Sequence, residues 1–240
     1  MKIIAHRGYS ARFPENTPQG WDAAYAHGAF AIEADVRLSL DGYCICAHDR
    51  DLSRLFNRPE RPEDLSLDEL LTLRNDAGGR IVALQEVLQH AASGRAILLD
   101  IKDETIPALE AIWHAILDIV PAPQRSLVIA GCHTLDAVQF FAARGETSIL
   151  GFIPSADLAE AFLAAGARLI RFWERDASAE RVASLQRLGA EVWITSGGAG
   201  TPFHGGETTA ENLRRLQATD ADGVLVDDVS LATSTLERAP

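Results

Sequence analysis

Short apolar runs recur along this chain at intervals that leave room for one amphipathic helix between them. That rhythm limits the fold more than any other feature. The candidate strands are Lys2–Ala5, Ala31–Leu38, Tyr43–Ala47, Ala96–Ile101, Leu127–Ala130, Ser148–Phe152, Arg168–Phe172, Glu191–Thr195 and Gly223–Val226. They are rich in β-branched and other apolar residues, the pattern of strands buried on both faces. The intervening helices carry start and stop signals. Asn16-Thr17-Pro18 opens one that Gly28 ends, Thr134 opens one that Gly145 closes, and another closes at Gly166. Ser178 and Gly189 bracket a further one, and Ser66 with Glu69 and Thr208 with Glu211 have capping-box spacing. Strand–helix repetition builds a parallel sheet covered by helices. About eight such strands in a chain of this length suit a closed TIM (β/α)8 barrel, one domain spanning residues 1–240. The runner-up, an open doubly wound sheet, lacks a supporting G-x-G-x-x-G loop.

One unit breaks the rhythm, between residues 31 and 48. Ala31–Leu38 and Tyr43–Ala47 are separated by Ser39-Leu40-Asp41-Gly42, and Asp-Gly between strand-like runs signals a hairpin. A two-residue Asp41-Gly42 turn would set Asp35 opposite His48 across the ladder. The following stretch, about 50–80, is polar and irregular with Pro59 and Pro62, and reads as a small excursion or lid.

The net charge of −12 argues against nucleic-acid backbones and anionic membrane surfaces as partners. A small anionic substrate then requires a locally positive pocket or a bound cation. Cys44, Cys46 and Cys132 are too few and too odd in number for a disulfide framework, and read as small buried hydrophobes. No apolar run is long enough to span a membrane, and no signal-type segment precedes His6. The expectation is a soluble, cytoplasmic protein.

In a parallel barrel, functional groups gather at the carboxyl ends of the strands. There the chain places His6-Arg7-Gly8, then Glu33 and Asp35, His48-Asp49, and Asp100-Ile101-Lys102. Ionisable groups at the ends of apolar strands are costly to bury unpaired. Glu33 and Asp35 point to one side of their strand, and neighbouring carboxylates repel unless a cation or a proton lies between them. Oxygen-only donors favour Mg²⁺ or Ca²⁺. A structural ion pair with Arg7 and Lys102 is the competing reading of those carboxylates.

Together with Pro14-Glu15-Asn16-Thr17, the Asp-Gly turn, Ala83-Leu84-Gln85-Glu86-Val87-Leu88 and the late Asp222-Gly223-Val224-Leu225-Val226-Asp227, these motifs run in order along nearly the whole chain. The set resembles that of glycerophosphodiester phosphodiesterases. The resemblance implies a phospholipase-C-like TIM barrel that cleaves glycerophosphodiesters to glycerol 3-phosphate and an alcohol. By position, Glu33, Asp35 and Asp100 match metal ligands, and His6 and His48 match the general acid/base pair. Arg7 and Lys102 match the groups that hold the phosphate, and Glu15 matches a supporting carboxylate. The chain departs from the family pattern in two places. Asp100 stands where Glu is usual, and Val192-Trp193-Ile194-Thr195-Ser196-Gly197-Gly198 replaces a Trp-Thr-Val-Asn-like run.

Trp173 and Trp193 are candidates for the substrate-side wall, with core or rim packing as the alternative. Arg171-Phe172-Trp173-Glu174 also ends a strand near that wall. Asp49 reads as a site residue or a turn residue, and Asp227 and Asp228 as site residues or caps of the final helix. His133 is a further candidate because it follows a strand. His27, His90, His114 and His204 read as surface residues. The Gly197–Gly206 loop reads as a flap or a plain connection. Two other functions compete: a phosphodiesterase acting on lysophospholipids or phosphoinositides, and a non-catalytic phosphodiester-binding barrel.

Overall fold

The computed structural model describes residues 1–236. Its strands are β1 (Lys2–Ala5), β2 (Ala31–Leu38), β3 (Cys44–Cys46), β4 (Val82–Ala83), β5 (Ala96–Ile101), β6 (Val128–Cys132), β7 (Ser148–Phe152), β8 (Leu169–Trp173), β9 (Glu191–Thr195) and β10 (Gly223–Val226). The order β1-β10-β9-β8-β7-β6-β5-β2, with β2 returning to β1, closes a barrel of eight parallel strands. Helices follow the strands on the outside, as the TIM-barrel reading requires. The open-sheet alternative is excluded.

The strands alternate between two apolar environments. Ile3, Leu99, Ile170 and Val224 pack outward in the large cluster shared with the helices. Ile4, Leu98, Ile129, Leu150, Trp193 and Leu225 fill the barrel interior. By the same parity Glu33, Asp35, Asp100 and Arg171 point inward, above this apolar plug.

The hairpin is real, but its register differs by one residue from the expected one. Val36 pairs with Cys46, and the Ala47 N–H donates to the Asp35 carbonyl. Asp35 therefore faces Ala47 rather than His48. The loop has three residues, because Ser39 N–H donates to the Tyr43 carbonyl at 2.8 Å, and Gly42 takes φ +82°. A type I turn followed by a left-handed glycine has this geometry.

The excursion carries short helices at Ser53–Phe56 and Leu67–Leu71, the second with the expected Ser66/Glu69 capping box. Leu52, Leu65 and Leu70 pack on Ile45 and Ile81 in a small core of their own. The strand β4, which pairs with β3, was not expected; its two residues lie directly ahead of the helix Leu84–Ala92. The cap of Ala210–Gln217 is Thr209 rather than Thr208, since its side chain accepts from Asn212 N–H. Among the described residues no helix is long and apolar enough to cross a membrane.

Candidate active site

The β2–β5 register sets Asp35 beside Asp100, and Glu33 lies two residues earlier on the same face. Oxygens of Glu33, Asp35 and Asp100 all come within 4.8 Å of one another, and all three residues are buried. The protein's own cations meet this cluster. Lys102 Nζ donates to Asp100 Oδ2 at 2.6 Å. It also lies 3.0 Å from Asp35 Oδ1, although that oxygen has no hydrogen-bond partner, so the contact is one of charge rather than alignment. Arg7 Nε lies 3.5 Å from Asp35 Oδ2. Asn16 Nδ2 donates to Asp35 Oδ2 at 2.8 Å, and Asn16 Oδ1 accepts the Asp35 backbone N–H.

Burial pushes the Asp35 and Asp100 carboxyls up, but the surrounding groups together outweigh it and hold both below the usual range, chiefly Lys102 and Arg7 at Asp35 and Lys102 and His133 at Asp100. Burial and the like charges of Asp35 and Asp100 push Glu33 well above that range. Lys102 ends above the usual lysine value, because the three carboxylates overcome its own desolvation.

Glu33 Oε2 accepts the Arg7 backbone N–H at 2.7 Å, while Glu33 Oε1 is buried with no hydrogen-bond partner among the described residues. Arg7 adopts φ +56°, a left-handed conformation uncommon for a side-chain-bearing residue. The bond to Glu33 and the Asn16 N–H to the Arg7 carbonyl hold that conformation. An unpartnered carboxylate oxygen amid three converging carboxylates fits a divalent cation with oxygen ligands.

Each proposed acid/base histidine is backed by a carboxylate. His6 Nδ1 lies 2.8 Å from Asp227 Oδ1, which also accepts from Ser10 Oγ at 2.9 Å. His48 Nδ1 lies 2.8 Å from Asp49 Oδ1. Such a pairing fixes the ring and its tautomer, leaving Nε2 for proton exchange. Arg37 donates to the His48 carbonyl and pins its backbone. Arg54, from the excursion, ties the parts together. It donates to Asp49 Oδ2 and bidentately to Glu15 at 2.7 and 2.8 Å. Glu15 also meets Arg7 at 3.4 Å. Burial raises the Asp49 carboxyl, but Arg54 and His48 outweigh it and hold it low.

The barrel thus brings Arg7, Glu15, Glu33, Asp35, Asp100 and Lys102 into one connected cluster. Asp227 and Asp49 stand directly behind the two histidines. Trp173 sits at the mouth, half-buried against Arg171. Trp193 does not reach the mouth. It is fully buried in the apolar plug, and its indole N–H donates to Glu191 at the far end of the strand. Its parity is inward, but its depth along β9 places it below the polar layer.

The sequence reading missed Asn16 and Arg54. Asn16 carried one signal, its place between Glu15 and the Thr17 helix cap; it takes φ +54°. Arg54 carried none, since its role depends on how the excursion folds back. His133 proves to touch the cluster, with Nε2 2.7 Å from Asp100 Oδ1.

These are the parts of a barrel suited to cation-assisted acid–base chemistry on an anionic ligand. Comparison with known proteins narrows the class. Residues 6–127, just over half of the chain, match the Glycerophosphoryl diester phosphodiesterase family, and the chain belongs to that family. A glycerophosphodiester phosphodiesterase of Caldanaerobacter subterraneus is 37% identical over 94 residues, 36% of this chain and 39% of the relative. The first curated relatives are matched over only 19% to 52% of their own length. Among solved structures, the glycerophosphodiester phosphodiesterase of Thermotoga maritima has a TM-score of 0.74 at 26% identity, covering 97% of this chain and 96% of that one. An Oleispira antarctica phosphodiesterase in complex with the product sn-glycerol-3-phosphate shares the fold, with a TM-score of 0.84 at 21% identity, over 99% and 97% of the two chains.

Proposed function

We propose that this protein hydrolyses glycerophosphodiesters to glycerol 3-phosphate and an alcohol, in one barrel domain with the excursion as a lid. The observation that carries the reading is the buried triad of Glu33, Asp35 and Asp100 with an unpartnered oxygen on Glu33. Family membership and the product-bound Oleispira relative support the substrate class. Glu33, Asp35 and Asp100 would hold the cation, Mg²⁺ or Ca²⁺, which when bound supplies positive charge against the phosphate oxygens.

The chain's own residues do the rest. Arg7 offers a planar fork and Lys102 a compact charge to the phosphate. One of His6 and His48 takes the proton from the attacking water or hydroxyl through Nε2, and the other returns a proton to the leaving oxygen. Asp227 and Asp49 keep both rings oriented for it. Glu15 and Arg54 keep Arg7 and Asp49 in place. Three free, buried cysteines suit a reducing compartment, which agrees with a cytoplasmic location.

The test is release of glycerol 3-phosphate across a headgroup panel, with chelator and with Mg²⁺ or Ca²⁺ restored. Turnover that survives both chelation and Glu33→Ala would overturn the reading. Full activity in His6→Ala would do the same for the histidine roles.

A further inference from the structure

Arg171 is a cation buried inside the barrel that the reaction above does not use. It stands on β8, which lies across the closed barrel from β2, the strand that carries Glu33 and Asp35. Its residue is 7% exposed, yet among the described residues no carboxylate pairs with it and its Nε has no hydrogen-bond partner. The guanidinium carbon lies 4.7 Å from the Phe152 ring centroid and 4.0 Å from that of Trp173. Phe152 stacks in turn on His133, with centroids 4.9 Å apart and planes at 11°. His133 then meets Asp100. A continuous column therefore runs from a carboxylate of the triad through His133, Phe152 and Arg171 to Trp173.

Two glycines seat this column. A Cβ on Gly131 would lie 2.3 Å from Phe152 Cε2, and one on Gly198 would lie 2.6 Å from Trp173 Cε3. On the neighbouring strand β9, Thr195 pairs with Trp173 in register and shares the inward parity of Trp193. Its Oγ1 is also buried with no hydrogen-bond partner among the described residues.

A buried cation without a counter-ion is costly, and so is a buried hydroxyl without a partner. Here the two occur on adjacent strands inside the barrel. Burial pulls the Arg171 guanidinium down to about 10, while Asp100 and Glu33 raise it only in part. It remains cationic at neutral pH, and the triad does not neutralise it. A guanidinium stacked on aromatic rings keeps its N–H edge for hydrogen bonds, and that edge matches an oxyanion.

We propose that Arg171 and Thr195 form an oxyanion subsite across the barrel from the acidic triad, binding an anionic oxygen of the substrate. The inference rests on the reading of this mouth as a phosphodiester site. The oxygen belongs either to the reacting phosphate or to an anionic group, a carboxylate or second phosphate, on the alcohol arm. A quaternary ammonium arm is disfavoured on this side, because Arg171 already occupies the rings that would receive it and repels its charge.

Calorimetric titration of glycerol 3-phosphate and of inorganic phosphate into the Mg²⁺-loaded protein tests binding without turnover. Arg171→Gln should weaken at least one of these about 10-fold or more, with Arg171→Lys intermediate because it keeps charge but loses the planar edge. Thr195→Val, a near-isosteric change, should weaken the same ligand, and guards against a folding defect in the arginine variants. Steady-state turnover then locates the oxygen. A rise in KM for glycerophosphocholine and glycerophosphoserine alike assigns it to the reacting phosphate, whereas a rise for glycerophosphoserine alone assigns it to the arm.

Unchanged affinity for both titrated ligands in Arg171→Gln, with unchanged KM for both diesters, would overturn the proposal; tighter Mg²⁺ binding in that variant would then mark Arg171 as a counter-charge to the triad. Absence of diester turnover in the wild-type protein would instead refute the proposed function, while the phosphate titrations would still decide the subsite.

Discussion

Replacing Gly206 by alanine should disable His6 by displacing both its ring and its carboxylate partner. Gly206 has φ +92°, and its backbone is pinned on both sides: its N–H donates to Ser196 O and its carbonyl accepts from Asp227 N–H, each at 2.8 Å. A Cβ there would lie 2.1 Å from Asp227 Oδ1 and 2.5 Å from His6 Nδ1. The backbone cannot retreat, so the His6 ring must shift and the carboxylate must turn away. That breaks its bonds to His6 at 2.8 Å and to Ser10 at 2.9 Å. Left-handed backbone costs an alanine about 1–2 kcal/mol. The lost bonds to a charged group add a similar amount. A total near 3 kcal/mol corresponds to a fall in Tm of roughly 6–12 °C for a chain of this size. The catalytic effect is larger, because a positioned acid or base contributes about 10²–10⁴ in rate, so kcat should fall at least about 100-fold. Gly205→Ala is the control, since its Cβ would meet only the Trp173 ring, at 3.2 Å. Glycerol 3-phosphate release and calorimetric unfolding measure both effects. Wild-type kcat in Gly206→Ala, with the Tm lowered as expected, would refute the role assigned to the His6–Asp227 pair.

Three further outcomes follow from the same geometry. Asp227→Asn should lower kcat by about 10²–10⁴ with little change in KM, because the amide can donate to Nδ1 and favour the wrong tautomer; the kcat and KM values check it. Arg54→Ala frees Asp49 and Glu15 together and should cost about 10-fold in activity while stability stays within about 0.5 kcal/mol, as rates and denaturant unfolding would measure. Glu33→Gln should weaken Mg²⁺ binding by more than about 100-fold while raising the Tm of the metal-free protein at neutral pH. The native Glu33 carboxyl lies above its ordinary value, so metal-free stability falls as pH rises from that value upward. The Tm advantage of the glutamine should therefore vanish at low pH, where both forms are neutral; thermal scans across pH test the sign.

The barrel was legible because its strands are apolar on both faces and its helices carry local caps, features that do not depend on distant contacts. The inward parity of Glu33 and Asp35 was legible for the same reason, since side chains alternate along any strand. The hairpin register was not, because a three-residue turn with Gly42 in the left-handed region and a two-residue turn share the same Asp-Gly signal. Trp193 was misplaced because parity gives the side of a strand, whereas depth depends on how the strands stagger when the barrel closes. Asn16 and Arg171 owe their roles to that closure, and Arg54 owes its role to how the excursion folds back. Nothing local marks Arg54 as the bridge between Glu15 and Asp49, or Arg171 as a cation without an anion.

The charge state of the triad links the fold to the chemistry. Asp35 and Asp100 are neutralised by Lys102 and Arg7, which are built into the same strands and turns. Glu33 is different. Among the described residues its one hydrogen-bond partner is the neutral Arg7 N–H, and the like charges of Asp35 and Asp100 act on it more strongly than the opposite charges of Lys102 and Arg7. Without a cation, a proton on Glu33 is the cheapest way to relieve that repulsion. A divalent ion held by the three carboxylates would relieve it as well, in place of the proton. The strand pairing that brings Asp35 beside Asp100 thus creates an electrostatic problem that either a proton on Glu33 or a bound cation relieves. Burial makes that problem sharp, because the same low dielectric that raises Glu33 strengthens every attraction to an incoming cation. On the proposed reading, the instability at Glu33 and the attraction for a cation would be one property of the site.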